Sequence, residues 1–443
     1  MASSAADVDR ANVDPPPSPE VLRIHPTRGP LHGRLCVPGD KSISHRALLF
    51  GALAEGRTTI QGLLRAADVN HTWDAVVRLG ATVREGKEGV EVLGGPLGQD
   101  VGAIECGNSG TTARLLLGAL APRGGATLTG DASLSRRPMR RVRAPLEAMG
   151  ARFSAGDHLP LTVHPASLHG VDWAATVPSA QVKSAVLLAA LAAEGRTTYT
   201  ESVLTRDHTE RLLRAMGAQL TRRGDMLSLL PGPLSGVSIP VPGDPSSAAF
   251  WLVAAAIVPG SAVTVEGVGV NPTRTGFLDV LRAMGAVVTI GEIGADAEPT
   301  ATVRLEGGGG LHGVEIGGAL IPRLIDELPA LAVAAAFAEG DLVVRDAAEL
   351  RVKESDRVAA IVAGLRCLGI AAEERADGFV VHGEGGRRAH GGIVESRGDH
   401  RIAMAFAVAG LRVGVTVRDT TNIGTSYPGF VQDLNTLAPG TVG

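Results

Sequence analysis

Apolar residues recur along the chain in one pattern that appears six times. Each copy is an apolar run of helical length, then a glycine, then a short run of threonine or valine. The apolar run predicts a buried helix, the glycine its C-cap and the β-branched run a strand. The six copies occupy residues 47–60, 113–129, 185–200, 250–265, 331–344 and 403–417.

A second helical run follows in five of these copies and ends in Leu-Gly or Met-Gly. Further strand-like residues come after the glycine, so each unit reads strand–helix–strand–helix–strand–strand over about 60 to 80 residues. The sixth unit has its second helix near residues 427–437, and residues 21–38 are expected to supply its missing strands. The five glycines predicted as caps are Gly80, Gly150, Gly217, Gly285 and Gly369.

The string VPGD occurs at residues 37–40 and again at 241–244, each time just before a helical run. We interpret the two copies as crossings between two bodies of three units each, which would act as a hinge. One domain would span residues 40–241, and the other would combine 21–39 with 242–443. A single doubly wound sheet is the alternative that the short helices do not exclude.

Composition narrows the classes of function. The chain has 443 residues, of which 44% are hydrophobic and 3% aromatic, and its formal net charge is −4. Few aromatic side chains and a negative net charge argue against nucleic acid or a membrane surface as a partner. No uninterrupted run of about 18 apolar residues occurs, so no membrane span is predicted.

The cysteines Cys36, Cys106 and Cys367 are scattered without a CxxC pair. Their spacing predicts neither a disulfide framework nor a zinc site and fits a reducing cytoplasm. No HExxH string and no common nucleotide-binding motif is present, so neither a metal nor a cofactor is implied. Residues 1–20, with acidic residues and a proline run, are predicted to form a disordered tail.

Polar clusters precede the helical runs, and the two most informative are GDKSISHR at residues 39–46 and ELRVKESDR at 349–357. A helix N-terminus has free N–H groups and a positive dipole end, so clusters from both bodies would form one anion site in a shared cleft. Ser, Thr, Asp and Asn are ordinary caps there, whereas a cation opposes the dipole unless an anion is present. The cations in question are Lys41, Arg46, Arg114 and Arg401.

Nine strings stand in one order along the chain: GDKSISHRALL, GNSGTT, RRPM, PSAQVKSA, RDHTERLLRAMGA, IDELP, LRVKESDR, GDHRIAM and TSYPGF. Together they resemble the 5-enolpyruvylshikimate-3-phosphate (EPSP) synthase family of 3-phosphoshikimate 1-carboxyvinyltransferases, over residues 22–437. The resemblance implies an α/β (α+β) fold, a two-domain inside-out α/β barrel. It would have six βαβαββ repeats, three per domain, hinged at two crossovers.

The resemblance also implies a reaction. The enolpyruvyl group of phosphoenolpyruvate passes to the 5-hydroxyl of 3-phosphoshikimate through a tetrahedral adduct, and phosphate is released, in the shikimate pathway to chorismate and the aromatic amino acids. These two anions would be the only partners of a cytoplasmic, monomeric transferase. The chemistry requires a base at the hydroxyl, an acid and base at C3, and cations on the phosphate and carboxylate groups.

The resemblance assigns roles to residues of this chain. Asp326 would be the base at the shikimate hydroxyl, and Glu354 and Lys41 are the candidates for proton transfer at the enolpyruvyl carbons. The implied 3-phosphoshikimate contacts are Lys41, Ser42, Arg46, Ser179, Gln181, Asp326 and Lys353. The implied phosphoenolpyruvate contacts are Lys41, Gly110, Arg137, Gln181, Arg357 and Arg401.

Simpler structural roles stand beside these assignments. The simpler alternative for Asp326 is a helix N-cap, and for Glu354 it is an ion pair with Arg357 one turn later. A hydrogen-bonded structural role is predicted for the histidines of the clusters, His45, His208 and His400. Three positions depart from the pattern of the resembled family. Ala180 stands where Ser is frequent, Glu349 where Asn is frequent and Thr425 where Lys is frequent. These departures bear on how phosphate is held rather than on the reaction.

Two other hypotheses remain open at this point. The related UDP-N-acetylglucosamine enolpyruvyl transferases share the fold, but they use a loop cysteine shortly before an Arg-Pro pair. Here the pair is Arg137-Pro138, and residues 132–136 contain no cysteine. A non-catalytic anion-binding repeat protein is the second hypothesis, and the presence of Asp326, Glu354 and Lys41 together argues against it.

Overall fold

A computed structural model describes residues 18–95, 98, 101–294 and 297–443 of the chain. Most of the predicted tail, residues 1–17, lies outside the described residues. Thr420 donates from its backbone N–H to the Glu20 carbonyl (3.1 Å) and from its hydroxyl to the Pro19 carbonyl. The last residues assigned to the tail are therefore held by the C-terminal part of the chain.

The described residues form helices and strands in close alternation. The α-helices are α1 Lys41–Leu53, α2 Ala67–Arg78, α3 Gly110–Leu120, α4 Arg140–Ala148, α5 Ala180–Ala190, α6 His208–Ala215, α7 Pro245–Ile257, α8 Gly276–Ala283, α9 Leu328–Ala336, α10 Arg357–Cys367, α11 His400–Val413 and α12 Phe430–Leu437. The strands of the first half are β1 Val21–Ile24, β2 His32–Cys36, β3 Arg57–Gln61, β4 Thr82–Gly86, β5 Gly89–Leu93, β6 Gly102–Glu105, β7 Ala126–Thr129, β8 Arg152–Phe153, β9 Leu161–His164, β10 Asp172–Ala174, β11 Thr197–Thr200, β12 Leu220–Arg223, β13 Met226–Leu229 and β14 Ser238–Pro240. Those of the second half are β15 Ala262–Gly269, β16 Val287–Ile290, β17 Thr300–Glu306, β18 Glu315–Ile316, β19 Glu339–Val344, β20 Ala372–Arg375, β21 Gly378–Glu384, β22 Gly392–Glu395 and β23 Val415–Arg418.

The predicted βαβαββ unit is present and repeats. In the second unit β6 pairs in parallel with β7, with Ile104 opposite Leu128, and β9 joins β7 antiparallel, with Leu161 opposite Leu128. Strand β8 completes the sheet on the far side of β9, giving the order β6-β7-β9-β8. The described strands form six such sheets, five of four strands and one of three. The alternative of a single doubly wound sheet is wrong.

The prediction for residues 21–38 is half right. Strand β1 completes the sixth unit by pairing antiparallel with β23, where Leu22 faces Val417. Strand β2 instead pairs in parallel with β15 of the fourth unit, where Leu35 faces Val265. Strand β14 makes the equivalent parallel pairing with β3 of the first unit. Strand β2, which precedes the crossing at 37–40, thus joins a sheet whose other strands follow the crossing at 241–244. Strand β14, which precedes the crossing at 241–244, joins a sheet whose other strands follow the crossing at 37–40.

The first helix of every unit is buried, and the sheets lie outside. All thirteen residues of α7 and all nine of α9 are buried. The helices pack closely because the residues at their contacts are small. A Cβ added at Gly118 of α3 would come within 2.2 Å of the Ala185 carbonyl oxygen in α5. Helices inside and sheets outside are what the inside-out barrel of the prediction requires.

The predicted turn glycines adopt the left-handed backbone that favours glycine. Gly80 has φ 103° and Gly285 has φ 98°, each directly after the C-cap residue of its helix. In the first-helix pattern Gly414 is itself the C-cap of α11, with φ 76°. Gly56 also has a positive φ, of 83°, but it lies three residues beyond the end of α1. It therefore forms part of the predicted turn and is not the C-cap of α1.

Buried apolar side chains form two separate clusters among the described residues. One draws on residues 22–37 and 248–438, and the other on residues 43–241. None of the described helices combines the length and the apolar character that crossing a lipid bilayer requires.

Candidate functional site

A cavity of about 480 Å³ lies between the two apolar clusters and is lined by residues from both halves of the chain. All twelve residues to which the resemblance assigned a role lie on its wall. They come from strings up to about 360 residues apart, from Lys41 to Arg401. The fold therefore brings the predicted set together in one place.

The cavity has a positive charge excess that the chain as a whole lacks. Ten lysine or arginine side chains and six carboxylates line it, an excess of four positive charges in a chain of formal net charge −4. Charges gathered in a cleft with low-dielectric walls act more strongly on a ligand than the same charges in water. The wall suits ligands that carry several negative charges.

Helix N-termini from both halves point their first turns at the cavity. Ser109 caps α3 by accepting from the Thr112 N–H (3.2 Å), and Asp356 caps α10 through the Ala359 N–H (3.0 Å). Ser179 caps α5 by accepting from the Val182 N–H, so this residue has the ordinary capping role. In α10 and α11 the cap is followed within two residues by a wall arginine, Arg357 or Arg401.

Asp326 stands at the centre of the cationic wall. Its carboxylate is 2.6 Å from Arg206 Nη2, 3.0 Å from Arg357 Nη1 and 3.5 Å from Lys353 Nζ. Burial alone would raise the pKa of Asp326, but Lys353, Arg401, Arg206 and Arg357 together hold it well below 3.8. The carboxylate is thus ionised at neutral pH, as a base must be.

The N-cap alternative for Asp326 is wrong. The residue at the cap position of α9 is Glu327, and its side chain makes no capping hydrogen bond. Asp326 lies one residue earlier, and its oxygens are taken by cations from other elements.

Glu354 is a second ionised carboxylate on the same wall. It lies 2.6 Å from Arg357 Nη2, so the predicted structural ion pair exists, and 3.7 Å from Arg137 Nη1. Burial opposes ionisation, yet Arg357 and Arg137 keep the pKa of Glu354 well below 4.5. In the free protein Glu354 can accept a proton and has none to give.

Lys41 occupies the first turn of α1, and its ammonium group lies 2.8 Å from Asp68 Oδ2. The Lys41 backbone N–H donates to Asp244 Oδ2 (3.1 Å), so the residue is tied to the second crossing as well as to its own helix. This double attachment orients the side chain into the cavity.

Arg46 and Arg114 are buried cations that lack a carboxylate within 4 Å among the described residues. Arg46 donates to the hydroxyls of Thr209 and Ser184, both at 2.8 Å. Arg114 donates to Gln181 Oε1 (2.7 Å). Burial lowers the pKa of each guanidinium to about 10. A buried charge without a counter-charge is costly, so these two residues indicate places that a ligand anion fills.

Gly110 leaves space for two guanidinium groups. A Cβ at this position would lie 2.8 Å from Arg114 Nη1 and 3.3 Å from Arg137 Nη1. Any larger side chain would displace at least one of these cations from the wall.

Among the described residues that line the cavity, three ion pairs join the two halves of the chain. Arg206 pairs with Asp326 (2.6 Å), Arg141 with Glu349 (2.6 Å) and Arg137 with Glu354 (3.7 Å). The Ser133 hydroxyl adds a hydrogen bond to the Glu354 carbonyl (3.4 Å). The two halves of the wall therefore already face each other at contact distance.

The positions that depart from the family pattern differ in what they do. Glu349 is the carboxylate that pairs with Arg141 of the other half of the chain, and Ala180 lines the wall at the start of α5. Thr425 lies off the wall and donates to the Asn422 carbonyl (2.7 Å).

The histidines behave as the structural role predicts. His45 Nδ1 contacts the Thr72 hydroxyl (2.7 Å), and His208 Nδ1 contacts Glu298 (2.7 Å). His400 Nδ1 lies 3.4 Å from the Thr425 hydroxyl. Burial lowers the pKa of both His45 and His400 well below 6.5, so neither adds positive charge to the site at neutral pH.

Sequence reasoning missed Arg206 and Arg141 as site residues. Arg206 opens the string RDHTERLLRAMGA, just before α6, and Arg141 lies two residues after the string RRPM, in the first turn of α4. Both were available as cations near helix starts. Their partners, Asp326 and Glu349, lie in the other half of the chain, so only the fold relates them.

Fold and cavity together define a two-core α/β repeat protein with a cationic, carboxylate-containing site for multiply charged anions. The family model for EPSP synthase (3-phosphoshikimate 1-carboxyvinyltransferase) matches residues 26–434. The chain belongs to the EPSP synthase family.

Named relatives agree with this assignment. The chain is 52% identical over 422 residues to the 3-phosphoshikimate 1-carboxyvinyltransferase of Anaeromyxobacter sp. (strain Fw109-5), covering 93% of this chain and 97% of the relative. It is 49% identical over 430 residues to that of Geobacter sulfurreducens, covering 94% and 99%. The EPSP synthase structure of Acinetobacter baumannii superposes with a TM-score of 0.84 at 42% identity, covering 96% and 99%.

Proposed function

We propose that this protein transfers the enolpyruvyl group of phosphoenolpyruvate to the 5-hydroxyl of 3-phosphoshikimate and releases phosphate. It is an enzyme of the transferase class by its family. The observation that carries the proposal is the ionised carboxylate of Asp326 among four cations, in the same cavity as Glu354 and Lys41. The family match favours this acceptor over UDP-N-acetylglucosamine and favours catalysis over mere anion binding.

In the addition step, Asp326 removes the proton of the 5-hydroxyl while the hydroxyl oxygen bonds to C2 of phosphoenolpyruvate. C3 gains a proton, and the product is the tetrahedral adduct. Because Glu354 is ionised in the free protein, we assign proton donation to the Lys41 ammonium group. Donation by a positioned side chain typically contributes about 100- to 10,000-fold to a rate.

In the elimination step, C3 loses a proton as the C2–O bond to phosphate breaks, which restores the double bond. The ionised Glu354 carboxylate is the acceptor we assign to that proton. Arg137, Arg357 and Arg401 would hold the phosphate and carboxylate of phosphoenolpyruvate, with Gly110 giving them room. Cations fixed in advance where charge develops lower the barrier without reorganising.

The same wall would hold 3-phosphoshikimate. Arg46 has an unpaired charge that suits its phosphate. Ser42 accepts from Arg46 through its carbonyl, Gln181 contacts Arg114 and Lys353 pairs with Asp326. Ser179 lines the same cavity. Because the cavity is lined from both halves of one chain, we propose that a monomer is sufficient. Three free cysteines, two of them exposed, support a reducing compartment such as the cytoplasm.

We further propose that residues 40–241 form one domain and that 21–39 with 242–443 form the other. The two separate apolar clusters support this division. The segments at 37–40 and 241–244 would be the hinge between them.

Phosphate release tests the proposed reaction. The purified protein is incubated with phosphoenolpyruvate plus 3-phosphoshikimate, plus UDP-N-acetylglucosamine, or with no acceptor. We expect phosphate only in the first mixture, in equal amount to the enolpyruvyl ether formed. Release with the nucleotide sugar, or none with 3-phosphoshikimate, would refute the proposal.

The pH dependence of kcat/KM for 3-phosphoshikimate reports the charge of Lys353. Burial lowers the pKa of Lys353 below 10.5, although Asp326 opposes that shift. A lysine loses its positive charge as pH rises through its pKa. In the wild type we therefore expect kcat/KM to decrease as the pH is raised, with the decrease beginning before pH 10.5 is reached. An arginine remains charged there, so Lys353→Arg should remove this decline. Lys87→Arg, in the exposed turn between β4 and β5, is the control, and identical alkaline profiles for all three proteins would contradict the assignment.

A further inference from the structure

Arg274 connects the two crossings through a single buried guanidinium group. It lies between β15 and α8, and its side chain is 2% exposed. Nη1 is 2.7 Å from Asp40 Oδ2, and Nη2 is 3.3 Å from Asp244 Oδ1. Asp40 is the last residue of the crossing at 37–40 and Asp244 the last of the crossing at 241–244. One side chain thus holds the same position of both crossings.

The backbones of the crossings are also joined to each other. The Asp40 N–H donates to the Pro242 carbonyl and the Asp244 N–H donates to the Pro38 carbonyl, both at 2.8 Å. Gly39 and Gly243 form an antiparallel bridge at the centre. The crossings therefore behave as one short two-stranded link, and Arg274 binds both of its ends.

A third carboxylate relates this link to the reaction site. Glu327 Oε1 is 3.8 Å from Arg274 Nη2 and accepts from the Ser246 hydroxyl, which also accepts from Arg274 (3.0 Å). Glu327 directly follows Asp326, just as Lys41 directly follows Asp40. Two of the three residues assigned to proton transfer, Lys41 and Asp326, are thus each adjacent in sequence to a carboxylate of this cluster.

The charges of the cluster balance only when the guanidinium is present. Asp40 and Asp244 cap α1 and α7, and Glu327 stands at the cap position of α9. Each helix end contributes roughly half a positive charge, so three ends and one guanidinium nearly offset three carboxylates. Burial would raise the pKa of Asp40, yet Arg274 and His208 lower it to about 2. The carboxylates raise the pKa of Arg274 above its ordinary value against the effect of burial.

We propose that Arg274 is a positioning residue for the transferase reaction, which sets the spacing of Lys41 and Asp326 by clamping the two crossings to α9. The proposal rests on the proposed function for its kinetic readout. Its structural readout, the rigidity of the crossings, needs no substrate. Arg274 acts through Asp40 and Glu327, because its Nη atoms are occupied by cluster partners rather than free for a ligand.

The test variant is Arg274→Lys, which keeps one positive charge but loses the planar fork that reaches several acceptors. We expect kcat for phosphate release to fall about tenfold to 100-fold, since small misplacement of reacting groups has effects of this size. KM for each substrate should change by less than about threefold, because the binding cations are untouched. Without ligand, amide hydrogen exchange in residues 37–44 and 241–247 should become faster.

The matched control is Arg304→Lys, on the outer strand β17, where Arg304 is 44% exposed and pairs with Glu306. It should leave kcat and exchange unchanged. If Arg274 were merely structural, the Arg274→Lys change would lower only the fraction of protein that is folded. The proposal is therefore overturned if kcat, calculated per folded Arg274→Lys molecule, equals the wild-type value.

Asp40→Asn decides the matter if Arg274→Lys does not fold. Asparagine retains the helix cap but presents an amide donor where Arg274 needs an acceptor. Lower kcat with faster exchange at both crossings supports the clamp, whereas wild-type values of both overturn it. If the wild type itself releases no phosphate, the proposed function fails. The exchange comparison then judges the clamp alone, and unchanged exchange refutes it.

Discussion

Replacing Lys41 by methionine should lower kcat for phosphate release by about 100- to 10,000-fold, the range that a positioned proton donor supplies. Methionine keeps most of the length of the side chain and removes the ammonium group that we assign to proton donation at C3. The loss should appear in kcat more than in KM, because Arg137, Arg357 and Arg401 remain on the wall to hold the anions. Steady-state phosphate release at saturating concentrations of both substrates measures it.

The fold of the Lys41→Met variant should survive. Only one ion pair, with Asp68, is lost from a side chain that is 13% exposed. Lys87→Met, at the exposed turn between β4 and β5, makes the same chemical change away from the cavity and should retain full activity. A Lys41→Met protein that turns over at the wild-type rate would remove Lys41 from the mechanism.

Replacing Asp326 by asparagine should affect both turnover and stability. Without the carboxylate no base remains at the 5-hydroxyl, and kcat should fall by about 100- to 10,000-fold. Of the four cations that now converge on Asp326, Arg357 would keep its pairs with Glu354 and Asp399. The other three would have no carboxylate within 4 Å among the described residues: Arg206, Lys353 and Arg401. Removing one partner of such a buried set typically costs about 3 to 5 kcal/mol of unfolding free energy. Urea unfolding and phosphate release on the same preparation measure the two effects.

Ligand should partly restore the stability of the Asp326→Asn variant. The phosphate of 3-phosphoshikimate supplies negative charge to the same wall, and any ligand that binds only the folded state stabilises it by mass action. The control is Asp279→Asn on α8, which breaks the half-exposed pair of Asp279 with Arg323. It should lower the free energy of unfolding by less than about 1 kcal/mol. An active Asp326→Asn variant would show that another group is the base.

Local pattern was sufficient for the repeating unit. Apolar runs with glycine turns specify helix and strand through short-range sterics and burial, so the copies at residues 250–265 and 331–344 appear as buried helices followed by strands. The nine ordered strings identified the family by resemblance, and with it twelve of the residues that line the cavity. The cations at helix starts pointed to an anion site, because a cation there is unfavourable unless an anion is present.

Local pattern was insufficient where a residue's partner lies in another unit. Strand β2 has the same strand character as β1, and its placement beside β15 depends on long-range pairing that no short window contains. Arg206 has nothing in its own neighbourhood that marks it as the partner of Asp326, 120 residues later. The N-cap hypothesis for Asp326 failed by one residue, since Glu327 occupies the cap position of α9. The cationic partners of Asp326 come from three other segments and were not visible in its own neighbourhood.

By itself, the amino-acid sequence determined the six units, the two crossings as special segments, the family and the set of candidate side chains. The tertiary structure decided which strand completes each sheet, which cations meet which carboxylates across the cavity, and that one guanidinium group binds both crossings. The physical reason is range. Backbone sterics and apolar periodicity act over a few residues and can be read from neighbours, whereas ion pairing and burial depend on distances in space that only the folded chain sets.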